Sequence, residues 1–84
     1  MQAFVYKSLR RQGSYLYLAR RDDFSTVPEP VLAPLGRLEF VLEFALTADR
    51  RLAQADPAVV RRNLTDRGFH LQVPPTMPDP MVDG

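Results

Sequence analysis

Arg37-Leu38-Glu39-Phe40-Val41-Leu42-Glu43-Phe44-Ala45-Leu46 sets a large apolar side chain at five even positions in succession, Leu38, Phe40, Leu42, Phe44 and Leu46. Strand side chains alternate between the two sides of a sheet, so this unbroken period predicts a strand with one face in the core. The odd positions, Arg37, Glu39, Val41, Glu43 and Ala45, are mixed. They predict a sheet covered by helices on one face and partly open to water on the other.

Outward from this strand, Ala3-Phe4-Val5-Tyr6 and Tyr15-Leu16-Tyr17-Leu18 are β-branched, aromatic and aliphatic runs that read as two further strands. The polar connector Lys7 to Ser14 joins them as a hairpin, with Gly13 free to take the positive φ such a turn often requires. Within Val27 to Gly36, Pro28 and Pro30 suit the first turn of a helix, and Pro34 and Gly36 stop it after about two turns. Past the central strand, Thr47 and Asp49 offer caps for a short helix through residues 50–54, and Asp56-Pro57 restarts a helix in the N-cap and N1 pattern. Val60 and Leu64 share one face of that helix, and Gly68 ends it, with Arg67 at the negative end of its dipole. Phe69 to Val73 alternates again and is stopped by Pro74-Pro75.

The expected element order is therefore β-β-α-β-α-α-β. It describes an α+β fold: a single compact domain with a twisted sheet of about four strands and helices on one face. The apolar row of the third strand is expected to face Leu32, Leu35, Leu52, Val60 and Leu64. The domain spans residues 1–73, followed by a proline-rich disordered tail at 74–84 holding four prolines, two acids and no base. Without the tail the body carries eleven bases against eight acids, a net charge of +3.

Composition closes off several classes of function. Of the 84 residues none is cysteine, so disulfides and thiolate chemistry are absent, and a secreted domain of this size would ordinarily need staples. No apolar stretch approaches the ~18 residues of a membrane span, and the N-terminus lacks the pattern of an export signal. The expected location is the cytoplasm. A chain this short buries only about 60% of its unfolded surface, so its large apolar residues are needed for the core, leaving little to line a deep pocket.

Several short motifs, in their order and spacing, resemble the YcgL-like family of small bacterial proteins. They are Val5-Tyr6-Lys7-Ser8, Tyr15-Leu16-Tyr17, Asp23-Phe24-Ser25 with Val27-Pro28, Leu52-Ala53 followed by Asp56, and Gly68-Phe69-His70-Leu71-Gln72-Val73-Pro74-Pro75. The resemblance covers roughly residues 3 to 75. It implies a compact α/β fold and, through gene neighbourhoods containing ribonuclease D, a link to RNA metabolism. It supplies no established catalytic or binding residues to carry over.

No catalytic constellation emerges from the residues themselves. Zinc chemistry needs several converging His, Cys or acidic ligands, and the chain has one histidine and no cysteine. The adjacent acids Asp22-Asp23 follow Arg20-Arg21 and read as surface ion pairs or turn caps, so no metal or other cofactor is expected. Glu39 and Glu43 are expected on one strand face about 13 Å apart at 3.3 Å per residue. That exceeds the roughly 5–9.5 Å that separates glycosidase carboxylates. His70 alone titrates near neutrality, on the polar side of its strand, and a minimal enzyme would require it beside Asp22 or Asp23. Scattered glycines exclude a phosphate-cradling loop.

The expected function is a non-enzymatic module that binds another protein. Its candidate interaction surface comprises Lys7, Arg10, Arg11, Arg20, Arg21, Tyr6, Tyr17 and His70, beside an open sheet face carrying Val5, Lys7, Arg37, Glu39, Val41 and Glu43. The alternative is an RNA-associated protein using the arginine pairs at 10–11, 20–21, 50–51 and 61–62. That reading requires three or more pairs on one face, with the tyrosines as stacking platforms.

Overall fold

A computed structural model describes residues 1–47, 52 and 56–74. Four strands, β1 (Gln2–Ser8), β2 (Tyr15–Leu18), β3 (Leu38–Ala45) and β4 (Phe69–Gln72), form one antiparallel sheet in the order β3-β1-β2-β4. Helix α1 (Glu29–Leu35) connects β2 to β3, and α2 (Pro57–Asp66) precedes β4. The result is a compact single α+β domain, with the four strands where the sequence places them. The short helix expected at 50–54 and the tail from residue 75 onward lie outside the described residues.

The helices do not share a face, and this corrects the expected one-sided arrangement. Cross-strand partners share a side of the sheet, so the pairs Val5↔Tyr17 and Tyr17↔His70 define one face and Tyr6↔Leu16 and Leu16↔Leu71 the other. On the first face Ala3, Val5 and Tyr17 pack with Leu46 and with Val60 and Leu64 of α2. On the second, Tyr6, Leu16 and Leu18 pack with Val27 and Leu35, flanked by Val31 and Leu32 of α1. Leu16, Leu18, Leu46 and Val60 are fully buried, each worth about 1.5–3 kcal/mol of transfer free energy.

Strand β3 reconciles its alternating row with two cores by changing register. Val5 pairs with Leu42 and Tyr6 with Phe40, so Val41 is an extra residue, a β-bulge. Before the bulge, Leu38 and Phe40 join the core beneath α1; beyond it, Phe44 joins the one beneath α2. The expectation that all five apolar positions face one way is corrected accordingly. Glu39 and Glu43 part for the same reason: Glu39 stands beside Lys7, opposite in the ladder, while Glu43 lies opposite Phe4 on the other side.

Local chemistry sets the helix ends. The Asp56 carboxylate accepts a hydrogen bond from the Ala58 N–H at 2.9 Å, and Pro57 fills the first helical position. Just past the end of α2, Gly68 donates its N–H to the Asn63 and Leu64 carbonyls at φ +85°. The buried Ser8 hydroxyl donates to the Leu35 carbonyl and accepts the Arg11 N–H at 2.9 Å, fastening the hairpin loop to the end of α1.

Candidate functional site

The outer edge of β4 is flanked by both helices. Its backbone directions follow from the ladder: the Ala19 N–H donates to the Gly68 carbonyl, so the hydrogen-bonded pairs with β2 alternate through His70 and Gln72. Phe69 and Leu71 consequently turn their N–H and C=O groups away from the sheet. Among the described residues no partner meets those groups.

Two cavities run along this edge. One, of about 480 Å³, is walled by Val31 and Leu35 of α1, by Leu71, Val73 and Pro74, and by Arg11 of the hairpin loop. The second, of about 280 Å³, is lined by Val31, Asn63, Arg67, Phe69, His70 and Leu71. They share Val31 and Leu71, so they adjoin as a groove beside β4, with Arg67 lining one cavity and Arg11 the other. Pro74 packs so closely over Gly13 that a Cβ there would lie 2.8 Å from its Cγ, which pins the exit of β4 to the hairpin loop. Most of the lining is apolar, and none of the described lining residues is acidic.

His70 stands on the α2 side of the groove, half-buried. Its Nδ1 lies 2.8 Å from the Asn63 amide nitrogen, which can only donate, so Nδ1 accepts and the ring is neutral with its proton on Nε2. Burial holds its pKa below the ordinary histidine value. The Tyr17 ring meets His70 edge-on at 5.6 Å between centroids, and the Tyr17 hydroxyl donates to Gln72 Oε1 at 3.1 Å. Burial, followed by the nearby Tyr15, raises the Tyr17 pKa.

The structure gathers some of the predicted site residues and separates others. Tyr17 and His70 are cross-strand neighbours beneath α2, whereas Tyr6 is buried on the opposite face. There its hydroxyl donates to Asp22 Oδ1 at 2.8 Å and accepts the Asp22 N–H at 2.7 Å, holding Asp22 at φ +60°. The Tyr6 ring meets Phe24 and Phe40 edge-on, and the Arg21 guanidinium lies 4.3 Å above the Phe40 ring. Lys7 is exposed, 3.7 Å from Glu39. Arg10 and Arg11 occupy the hairpin loop, while Arg20 and Arg21 follow the other end of β2, separated by its length of about 13 Å at 3.3 Å per residue. Arg61 and Arg62 lie exposed on α2, and Arg50 and Arg51 are outside the described residues.

His70 and the acids Asp22 and Asp23 are likewise apart. Asp22 is held by Tyr6 beneath the α1 face, and the Asp23 carboxylate accepts from the Ser25 N–H and hydroxyl. Those bonds, side-chain then backbone, lower the Asp23 pKa. Among the described residues no cluster of three or more His, Asp or Glu could hold a metal, and no helix is long and apolar enough to cross a membrane. Of the predicted open face, Val5 is buried under α2, whereas Val41 stays 41% exposed at the free edge of β3. The groove itself was not anticipated. Its one sequence signal is the clustering of Pro30, Pro34 and Pro74, which line it with the apolar residues.

Comparison with known proteins places this geometry in context. The model of the YcgL domain matches residues 3–75. A YcgL domain-containing protein of Stenotrophomonas maltophilia is 57% identical over 77 residues, covering 92% of this chain and 90% of its own length. One from Thioalkalivibrio sulfidiphilus is 52% identical over 81 residues, 96% of this chain and 100% of its own. Another, from Xanthomonas oryzae, is 58% identical over 76 residues, 90% of this chain and 88% of its own.

Proposed function

The chain belongs to the YcgL domain family, and from that premise we propose that it works as a non-enzymatic protein-interaction module in the cytoplasm. One observation carries the reading: the groove beside β4, where an apolar trough and unpaired backbone groups lie together. A catalytic cleft concentrates titratable groups whose environments move their pKa values apart. This groove offers one neutral histidine already engaged by Asn63, between apolar walls. Such a surface suits recognition, in which apolar contacts supply affinity and a few polar groups fix register.

Cross-linking in living cells tests it. A photoreactive residue replacing Val73, which is 56% exposed at the groove, is compared with one replacing Val41 at the opposite edge of the sheet. The expected result is a discrete, nuclease-resistant protein adduct from position 73 that is absent from position 41. Adducts to RNA alone, or the same adducts from both positions, would refute the proposal.

A further inference from the structure

Resting on the reading of the groove as an interaction site, we infer that β4 accepts a fifth strand. The incoming segment is an extended partner peptide with alternating apolar and polar residues and a carboxylate toward each end, seated between α1 and α2.

The backbone argument comes first. A sheet edge invites strand addition because its outward N–H and C=O groups form a ready ladder. The sheet has two such edges. Strand β3 is blunted by its bulge at Val41 and by the charges of Glu39 and Glu43, features that discourage pairing. On β4, Phe69 and Leu71 present both their N–H and C=O groups toward the groove lined by residues of α1 and α2.

Side-chain chemistry then specifies the occupant. Phe69 and Leu71 belong to the α1 side, where Val31 and Leu35 continue the apolar wall, so alternate side chains of an added strand would be apolar there. The intervening side chains would point to Asn63 and His70 on the α2 side, which suits small polar residues. Neither Arg11 nor Arg67 is in an ion pair among the described residues, and no acid lines the groove between them. Along the groove the chain runs from Arg67 to Val73, which lines the same cavity as Arg11, six residue steps or about 20 Å at 3.3 Å per residue. A seven-residue segment with a carboxylate near each end matches that length and would set one acid toward each arginine.

The probe is an acetylated, amidated heptapeptide with aspartate at both ends, valine at its third and fifth positions and threonine elsewhere. Its sequence reads the same in either direction, so parallel and antiparallel pairing are sampled together. Titrated into the isotopically labelled full chain, it should shift the Phe69 and Leu71 amides and slow their hydrogen exchange at least about tenfold at saturation. Arg11→Glu with Arg67→Glu should weaken binding by at least about tenfold, and a lysine-ended version of the peptide should recover it on that variant. Leu71→Pro should abolish binding by deleting one outward N–H; the charge exchange remains decisive if this variant does not fold.

The inference is overturned by no amide shift at millimolar peptide, by shifts centred on Val41 and Leu42, or by affinity indifferent to the charge reversals. Two other occupants would also overturn it. A second copy would protect the Phe69 and Leu71 amides with rising protein concentration alone. The chain's own end would leave them protected until truncation after Pro74. If cross-links form at position 73 while the peptide fails, strand addition falls and the interaction module stands.

Discussion

Replacing Gly68 with alanine probes the joint on which the groove depends. Gly68 lies between the end of α2 and the start of β4, and its carbonyl accepts the N–H of Ala19, the residue after β2, all at φ +85°. An L-residue in this left-handed region pays about 1–2 kcal/mol, partly offset by about 0.4–1 kcal/mol of reduced freedom in the unfolded chain. The new Cβ would also lie 2.8, 2.9 and 3.0 Å from Oγ1, Cγ2 and Cβ of Thr26, too close for real atoms. Overpacking of this kind costs about 1–3 kcal/mol. The expected loss is about 2–4 kcal/mol, and each kcal/mol lowers the Tm of a domain this small by about 4–8 °C. Chemical denaturation of Gly68→Ala, Thr26→Ala and the double variant separates the contributions, because Thr26→Ala removes the two shortest contacts and leaves the φ strain. A coupling of at least about 1 kcal/mol is expected. A loss below about 0.5 kcal/mol for Gly68→Ala, or no coupling to Thr26, would refute the reasoning.

Three other outcomes follow from the same structure. Tyr6→Phe leaves the Asp22 N–H and carboxylate without the hydroxyl that holds them, and should cost about 1–2 kcal/mol by thermal melting while leaving cross-linking at position 73 intact; loss of cross-linking in a stable variant would restore a recognition role for Tyr6. Leu16→Ala opens a cavity in a fully buried position beneath α1 and should cost about 2–5 kcal/mol in denaturant titrations, with a smaller value showing that this core is not sealed. Because burial lowers the folded-state pKa of His70, the unfolded chain takes up the proton first as pH falls. The stability His70 contributes is complete above about pH 6.5 and is lost as pH falls from there through the folded-state value. Tyr17, which meets the ring edge-on, has a raised pKa and does not titrate in that window. The Tm should therefore drop between pH 7.5 and 5.5, and a His70→Gln variant with the same slope would assign the effect elsewhere.

How much was legible can be judged strand by strand. The period in β3, the hairpin around Gly13 and the Asp56-Pro57 start of α2 are local signals, and the structure follows each of them. The bulge was invisible because it leaves the sequence period intact: Leu38 to Leu46 alternates without a break, and only pairing with β1 reveals that Val41 is unmatched. Two-sided burial did leave a trace. Ala3-Phe4-Val5-Tyr6 and Tyr15-Leu16-Tyr17-Leu18 contain no charged position, whereas a strand with one wet face alternates apolar with polar. Read that way, β1 and β2 already imply a helix above and another below. The pairing of Tyr17 with His70 and the separation of the arginine pairs are matters of register, which composition does not encode.

The unmatched residue at Val41 also bears on how the molecule comes apart. Odd residues of β1 feed the core under α2 and its even residues the one under α1, while β3 crosses from one to the other within a single strand. Neither helical layer can peel away without exposing side chains whose backbone is still held by the other. The two layers are therefore expected to melt as one cooperative unit rather than one after the other.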